Sequence, residues 1–214
     1  MARVNDRRAL AAEATRRAIV EAASRLFRER GYTGTTLAEI AGEAGVAIQT
    51  VYNSIGSKRD VLAKVLDYAA SGEHAPTPPG AFAVAQGAEE PDVRKSLDQL
   101  VEFWREARAR TAPFYEILRQ AAALDPEAPE FERARAAERL ASYRAGAQLL
   151  ADRGALRAGL TIDDAAAVYF ATGHPEVYRS LVVEGDWTPE HWARWIRSTL
   201  ELALLAPADR PRRR

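Results

Sequence analysis

Two short helical segments and the turn between them constrain this chain more than any other feature. Thr36 and Glu39 have the Thr-x-x-Glu form of a capping box, Gly45 offers a left-handed stop, and a second short helix follows over 48–54. Ile40, Ala41, Ala44, Val46 and Val51 stand where two helices crossing at a steep angle touch, and Ala41 is small because the backbones come close there. The spacing fits a helix-turn-helix. A plain helical hairpin in a bundle core is the alternative.

The surroundings are helical as well. Over 13–30, Ile19, Ala22, Ala23, Leu26 and Phe27 recur at i, i+3, i+4, i+7 and i+8, a single buried stripe that Gly31 can terminate. Ser57 with Asp60 caps a fourth helix carrying Val61, Leu62, Val65, Leu66 and Tyr68. From 71 to 91 the density of Pro and Gly predicts a loop. Beyond it, helices are expected over 92–110, 112–124, 129–153, 161–183 and 189–205, the last opening Thr188-Pro189-Glu190. Val/Ile/Thr alternation and hairpin dipeptides are scarce, so the fold class is all-α. The implied organisation is an arm over 1–14, a helix-turn-helix domain over 15–70, a loop over 71–91, a larger helical domain over 92–206 and a basic tail over 207–214. Arg3, Arg7 and Arg8 are read as part of a solvated arm.

Residues 15–66, TRRAIVEAASRLFRERGYTGTTLAEIAGEAGVAIQTVYNSIGSKRDVLAKVL, resemble the DNA-binding domain of the TetR family of bacterial regulators. The resemblance rests on Ala-x-x-Leu-Phe ending in Arg-Gly-Tyr, the Thr-Thr before the second helix, Ile-Ala-x-x-Ala-Gly-Val, Thr-Val-Tyr, and Ser-Lys before the fourth helix. A softer likeness, from Thr161 through His174-Pro175-Glu176-Val177-Tyr178 to Trp187-Thr188-Pro189-Glu190, extends it toward the C-terminal part of such regulators. It implies a homodimer that grips double-stranded operator DNA through the third helix and senses a small-molecule effector in the larger domain. One departure stands at Ala47, where a Ser usual in the family caps the recognition helix; its loss costs about 1 kcal/mol of local stability.

The charge distribution agrees with contact at one end. Formal net charge is zero, yet up to Lys64 eleven bases face seven acids, leaving an acidic remainder. With no Cys and only His74, His174 and His191, thiolate chemistry is excluded and no metal or catalytic motif forms; no cofactor is expected. No run of about 18 apolar residues appears, nor a signal-peptide layout, so a cytoplasmic protein without a membrane partner is expected. The competing reading to a ligand-released repressor is a helical interaction module that has lost sequence-specific DNA binding, motivated by Ala47 and the zero net charge.

Within the helix-turn-helix, Gln49 is the leading base reader, since its amide matches adenine N6 and N7; Thr50 suits a thymine methyl or a phosphate, and Ile48 offers apolar contact. Asn53 lies beside them, and the family likeness sends Tyr52 to phosphate. Thr36 and Lys58 stand at helix starts where phosphates would lie, with Ala47 opening the recognition helix. In the larger domain Phe103, Trp104, Phe114 and Tyr115 are candidate walls of a ligand pocket, together with Leu118, Tyr143, Tyr169 and His174; for each, core packing is the alternative. On the last helix Trp192, Trp195, Ile196, Thr199, Leu200 and Ala203 cover more than one packing stripe, which suggests a subunit interface. The family likeness places that interface on the last two long helices, with Pro175 bending the first of them.

Overall fold

A computed structural model describes residues 2–75, 77–122 and 128–207. The architecture is all-α: among the described residues the β contact is one isolated antiparallel bridge, Leu156 with Leu205. The chain divides into two compact units that are discontinuous in sequence. The first comprises Met1–Pro76 with Pro113–Pro129, the second Thr77–Ala112 with Glu130–Arg214.

In the first unit α1 (Ala2–Arg30) packs on α2 (Leu37–Glu43), α3 (Ile48–Ser54) and α4 (Lys58–Ser71). Ile19, Ala22, Ala23 and Phe27 of the expected stripe are fully enclosed with Ile40, Val51, Val61 and Leu62. Thr35 lies in the same interior because its hydroxyl donates to the carbonyls of Leu26 (3.2 Å) and Gly31 (2.9 Å). The stretch expected as an arm continues α1 toward the N-terminus instead. It contains neither Pro nor Gly, and the Arg16–Glu13 and Arg17–Glu21 pairs at helical spacing support it.

The second unit is built from α5 (Pro79–Glu89), most of α6 (Val93–Ala122), α7 (Ala128–Asp152), α8 (Ile162–Thr172), α9 (Pro175–Tyr178), a π-helical turn (Arg179–Val183) and α10 (Pro189–Leu204). Its core joins Leu97, Val101 and Trp104 of α6 to Ala147 and Leu150 of α7, Ala165 and Tyr169 of α8, Tyr178 of α9 and the inner side of α10.

Three helical boundaries differ from the sequence expectation, each for a local reason. The loop expected over 71–91 contains α5, because Pro79 occupies the first helical turn, where its missing N–H is no loss. Gly80 within α5 is a contact point rather than a breaker: a Cβ there would lie 2.0 Å from Ser142 Oγ. α6 runs unbroken through Pro113, where two helices were expected. The carbonyl that Pro113 leaves without a donor belongs to the exposed Ala109, while the buried Thr111 and Phe114 keep the helix packed. The helix expected over 161–183 stops at Thr172. Pro175 excludes its predecessor from the helical region, so His174 turns extended (ψ 137°) and its Nδ1 caps the Glu176 N–H at 3.2 Å. Pro175 therefore starts a new helix instead of bending an old one. The basic tail expected over 207–214 lies, but for its first residue, outside the described residues.

Candidate nucleic-acid interface

α2 is fixed at its start by a complete capping box. Thr36 Oγ1 accepts from the Glu39 N–H (3.2 Å), and Glu39 Oε2 accepts from both the N–H and the hydroxyl of Thr36 (each 2.8 Å). Those bonds, with Arg30 at 2.9 Å, hold the Glu39 carboxyl below the usual carboxylate range, the Thr36 hydroxyl having the largest effect. The Thr36 hydroxyl expected to meet phosphate is thus already engaged by Glu39. At the turn, Gly45 takes φ +67°, a left-handed conformation that glycine adopts without a Cβ penalty. The Val46 N–H then returns to Ala41 O (2.9 Å), aiming the chain into α3.

α3 has no side-chain cap at Ala47. It buries a single side chain, Val51, beneath which α1 and α2 pack. The large side chains of the remaining faces stay in water: Ile48 is 43% and Tyr52 50% exposed, and Gln49 and Asn53 are exposed beside them. Exposing Ile and Tyr sacrifices their burial free energy, roughly 1.5–3 kcal/mol for a full-sized apolar side chain. Gln49 Nε2 donates to Asn53 Oδ1 (2.9 Å), one turn on. Nothing in the sequence expectation anticipates that bond. It restrains both amides on one face and leaves Gln49 Oε1 and Asn53 Nδ2 for a further partner.

Lys58 sits differently from the sequence expectation. Its Nζ donates to the carbonyls of Tyr32 and Thr35, both at 2.9 Å, and lies 4.2 Å from the centre of the Tyr32 ring. Burial lowers its pKa, partly offset by Glu39. Lys58 therefore ties the start of α4 to the turn after α1, and one of its three N–H groups remains for other use. Other cations of this basic head are already paired, Arg25 with Glu43 and Arg30 with Glu39, both at 2.9 Å and half-exposed. Exposed pairs of this kind are worth about 0–1 kcal/mol, so a phosphate can compete for them.

Residues 19–65 match the family model of bacterial regulatory proteins of the tetR family. Over those residues the chain carries a DNA-binding segment of the tetR type. A stretch of 50 residues is 44% identical to the HTH-type transcriptional regulator HbdR of Aromatoleum sp. (strain CIB), covering 23% of this chain and 22% of that protein. Solved structures of TetR type share the fold across nearly the whole chain. A TetR-family regulator from Syntrophomonas wolfei aligns with TM-score 0.68 at 19% identity, covering 87% of this chain and 93% of that one. The SmeT–triclosan complex aligns with TM-score 0.65 at 21% identity, covering 91% and 93%. NalD of Pseudomonas aeruginosa, the secondary repressor of the MexAB-OprM multidrug efflux pump, aligns with TM-score 0.61 at 23% identity, covering 92% and 100%.

The aromatic residues expected as pocket walls fall into separate groups. Phe114 and Leu118 are buried in the first unit, with Tyr115 beside them; Phe114 also lies under the Arg28 guanidinium at 5.7 Å. In the second unit Phe103 meets Phe82 (5.4 Å between ring centres). Trp104, Tyr143 and Tyr169 form a three-ring cluster with centres 5.6–6.0 Å apart. Phe170 extends the cluster from Tyr143 (6.3 Å) to His174 (5.7 Å). The sequence reading missed Phe170, which follows Tyr169 and so points to a different face of α8.

On α10 the structure splits the six interface candidates. Trp192, Ile196 and Leu200 have no exposed surface and, with Leu204, are the unit's own core at i, i+4, i+8 and i+12, so they do not serve as a subunit surface. A neighbouring stripe stays accessible: Trp195 is 38% and Leu202 76% exposed, with Thr199 and Ala203 partly so. Trp195 stands edge-on to Trp187 (5.8 Å), whose other face stacks on His191 (4.0 Å).

Proposed function

We propose that the protein is a transcriptional repressor that binds a palindromic operator as a homodimer and releases it when a small molecule occupies the second unit. The observation that carries this reading is α3. Its one buried side chain is Val51, while Ile48, Gln49, Tyr52 and Asn53 share solvent on a helix short enough to enter a major groove. Gln49 and Asn53, already bonded to each other, read base edges; Tyr52, Thr50 and the N–H groups around Thr36 and Ala47 take phosphates, and Lys58 supports the fold beneath them while offering its remaining N–H.

Dimerisation uses the stripe of Trp195, Thr199, Leu202 and Ala203, because a Leu left 76% exposed beside a half-exposed Trp is an apolar patch that a second copy would cover. Effector binding belongs to the ring cluster of the second unit around Tyr143, Phe170 and His174. The triclosan complex of SmeT and the repressor role of NalD, proteins of this fold, support a ligand-responsive repressor. α6 is the helix common to both units and passes from one to the other at Pro113, which makes it the natural carrier of a coupling of about 1–3 kcal/mol. No helix among the described residues is long and apolar enough to cross a membrane, and the proposed location is the cytoplasm.

The test is selection of binding sites from a random duplex library, followed by affinity measurement at rising salt. Enrichment of an inverted repeat whose affinity falls steeply with salt is expected. Weak binding to all sequences alike would instead favour a helical module that no longer reads DNA, the reading that the uncapped Ala47 motivates.

A further inference from the structure

Arg108 occupies an unusual position in the second unit. It is 8% exposed, one Nη2 bond runs to Gly173 O at the end of α8 (2.5 Å), and its Nε–H is buried without an acceptor. Arg139 of α7 repeats the pattern: its guanidinium lies 5.8 Å from the centre of the Phe170 ring, and its Nε–H is likewise buried without an acceptor. Among the described residues neither arginine has a carboxylate partner. Several other arginines of the unit are paired with acids, as Arg105 is with Glu102, Arg144 with Asp163, Arg179 with Glu176 and Arg197 with Glu201, while Arg153 and Arg157 donate to backbone carbonyls near the other end of α7. The enclosed guanidinium of Arg108 and the half-buried one of Arg139, with no counter-charge beside them, are costly to the fold unless an anion completes them.

His174 lies against the same two cations. Burial most of all, then Arg139 and Arg108, lowers its pKa from the ordinary histidine value, and the one acid acting in the opposite sense, Glu176, is engaged by Arg179. Because His174 Nδ1 accepts from the Glu176 N–H, its proton resides on Nε2. The cluster thus combines donors from α6, α7 and the α8–α9 junction, with Phe170 and Tyr143 as apolar walls. Among the described residues it holds no acceptor of matching charge.

We propose that Arg108 and Arg139 receive the carboxylate of an acidic effector, with His174 Nε2–H as a third donor and the effector's apolar body against Phe170 and Tyr143. A planar carboxylate matches the guanidinium fork better than a neutral polar group does. This proposal rests on the reading of the second unit as the effector-binding part, and it narrows the effector to a carboxylic acid.

The experiment uses the purified full-length protein and matched pairs of probes: 1-naphthoate with 1-naphthamide, and decanoate with decanol. Thermal unfolding and calorimetry read binding, since a ligand of the native state raises Tm by mass action. The acids are expected to bind and their neutral partners not. Arg139→Gln is expected to weaken the acids at least about tenfold, equivalent to 1.4 kcal/mol. Arg108→Gln is a second variant with the same expectation; Arg139→Gln spares the bond from Arg108 to Gly173. Equal binding of the neutral partners, no binding of either acid, or unchanged acid affinity in folded Arg139→Gln overturns the proposal. Operator release is scored in parallel to separate the two claims. An acid that binds without releasing operator supports the anion site and counts against ligand-released repression, whereas release by the neutral partners alone overturns the anion site and leaves repression standing.

Discussion

α3 and α10 carry similar kinds of residue, and the structure uses them in opposite ways. α10 is capped by Thr188, opens with Pro189, and encloses Trp192, Ile196, Leu200 and Leu204 completely. α3 has no side-chain cap, encloses Val51, and leaves Ile48 and Tyr52 in water beside Gln49 and Asn53. A helix that stabilises its own unit hides its largest side chains; one that gains nothing from exposing them within the monomer is shaped for a partner. The contrast locates the proposed DNA contact on α3 and reserves for α10 a narrower outward stripe around Trp195.

The contrast breaks most visibly on α10. Trp192→Ala is expected to lower stability by about 3–5 kcal/mol in urea unfolding, while the neighbouring Trp195→Ala lowers it by no more than about 1 kcal/mol. Trp195→Ala should instead shift sedimentation from dimer toward monomer; an equal loss of stability from both would erase the distinction between the core and outward stripes. Lys58→Ala ranks next, at about 1–3 kcal/mol of stability, because the carbonyls of Tyr32 and Thr35 lose a shared charged donor. Binding to all DNA sequences should weaken alike in that variant. Unchanged stability with weakened DNA binding would restore Lys58 to a purely phosphate role.

A smaller effect is expected at the start of α3. Ala47→Ser supplies the missing cap and should stabilise the protein by about 1 kcal/mol, with tighter DNA binding irrespective of sequence. The smallest belongs to α1, where the Tyr68 hydroxyl donates to Glu13 and, ahead of Arg16, holds that carboxyl below its ordinary range. A carboxyl lowered on folding stabilises above its unfolded pKa of about 4.3 and loses that contribution as pH falls through the lower folded value. Glu13 is near the surface, so less than about 1 kcal/mol is involved. Tyr68→Phe should remove most of Glu13's own share of the pH dependence of unfolding in that window and leave that of Glu39 unchanged.

What could be read in the sequence was what short-range rules determine. The capping boxes at Thr36 and Ser57, the turn at Gly45 and the stripe from Ile19 to Phe27 depend on residues within one or two helical turns, and they placed α2, α3 and α4. Where a long-range contact decides, the sequence was silent or misleading. Gly80 looks like a breaker until Ser142 is packed against it, and Pro113 looks like a stop until Thr111 and Phe114 are buried on either side. Lys58 looks like a phosphate ligand because nothing local shows that Tyr32 and Thr35 turn their carbonyls toward it. The interface candidates on α10 form a wide stripe in sequence, and only the packing of the second unit separates Trp192 from Trp195. Phe170, Arg108 and Arg139 carry no periodic signature and emerge only when α6, α7 and α8 are in place.

The proposed reading of base sequence by α3 is tested by comparing the wild type with Gln49→Ala on every single-base variant of the selected half-site. A loss of about 1–3 kcal/mol of discrimination is expected at one base pair in each half-site, with discrimination elsewhere retained. A uniform weakening across all variants, with the preference at every position intact, would contradict it and return Gln49 to the role of a solvated surface residue.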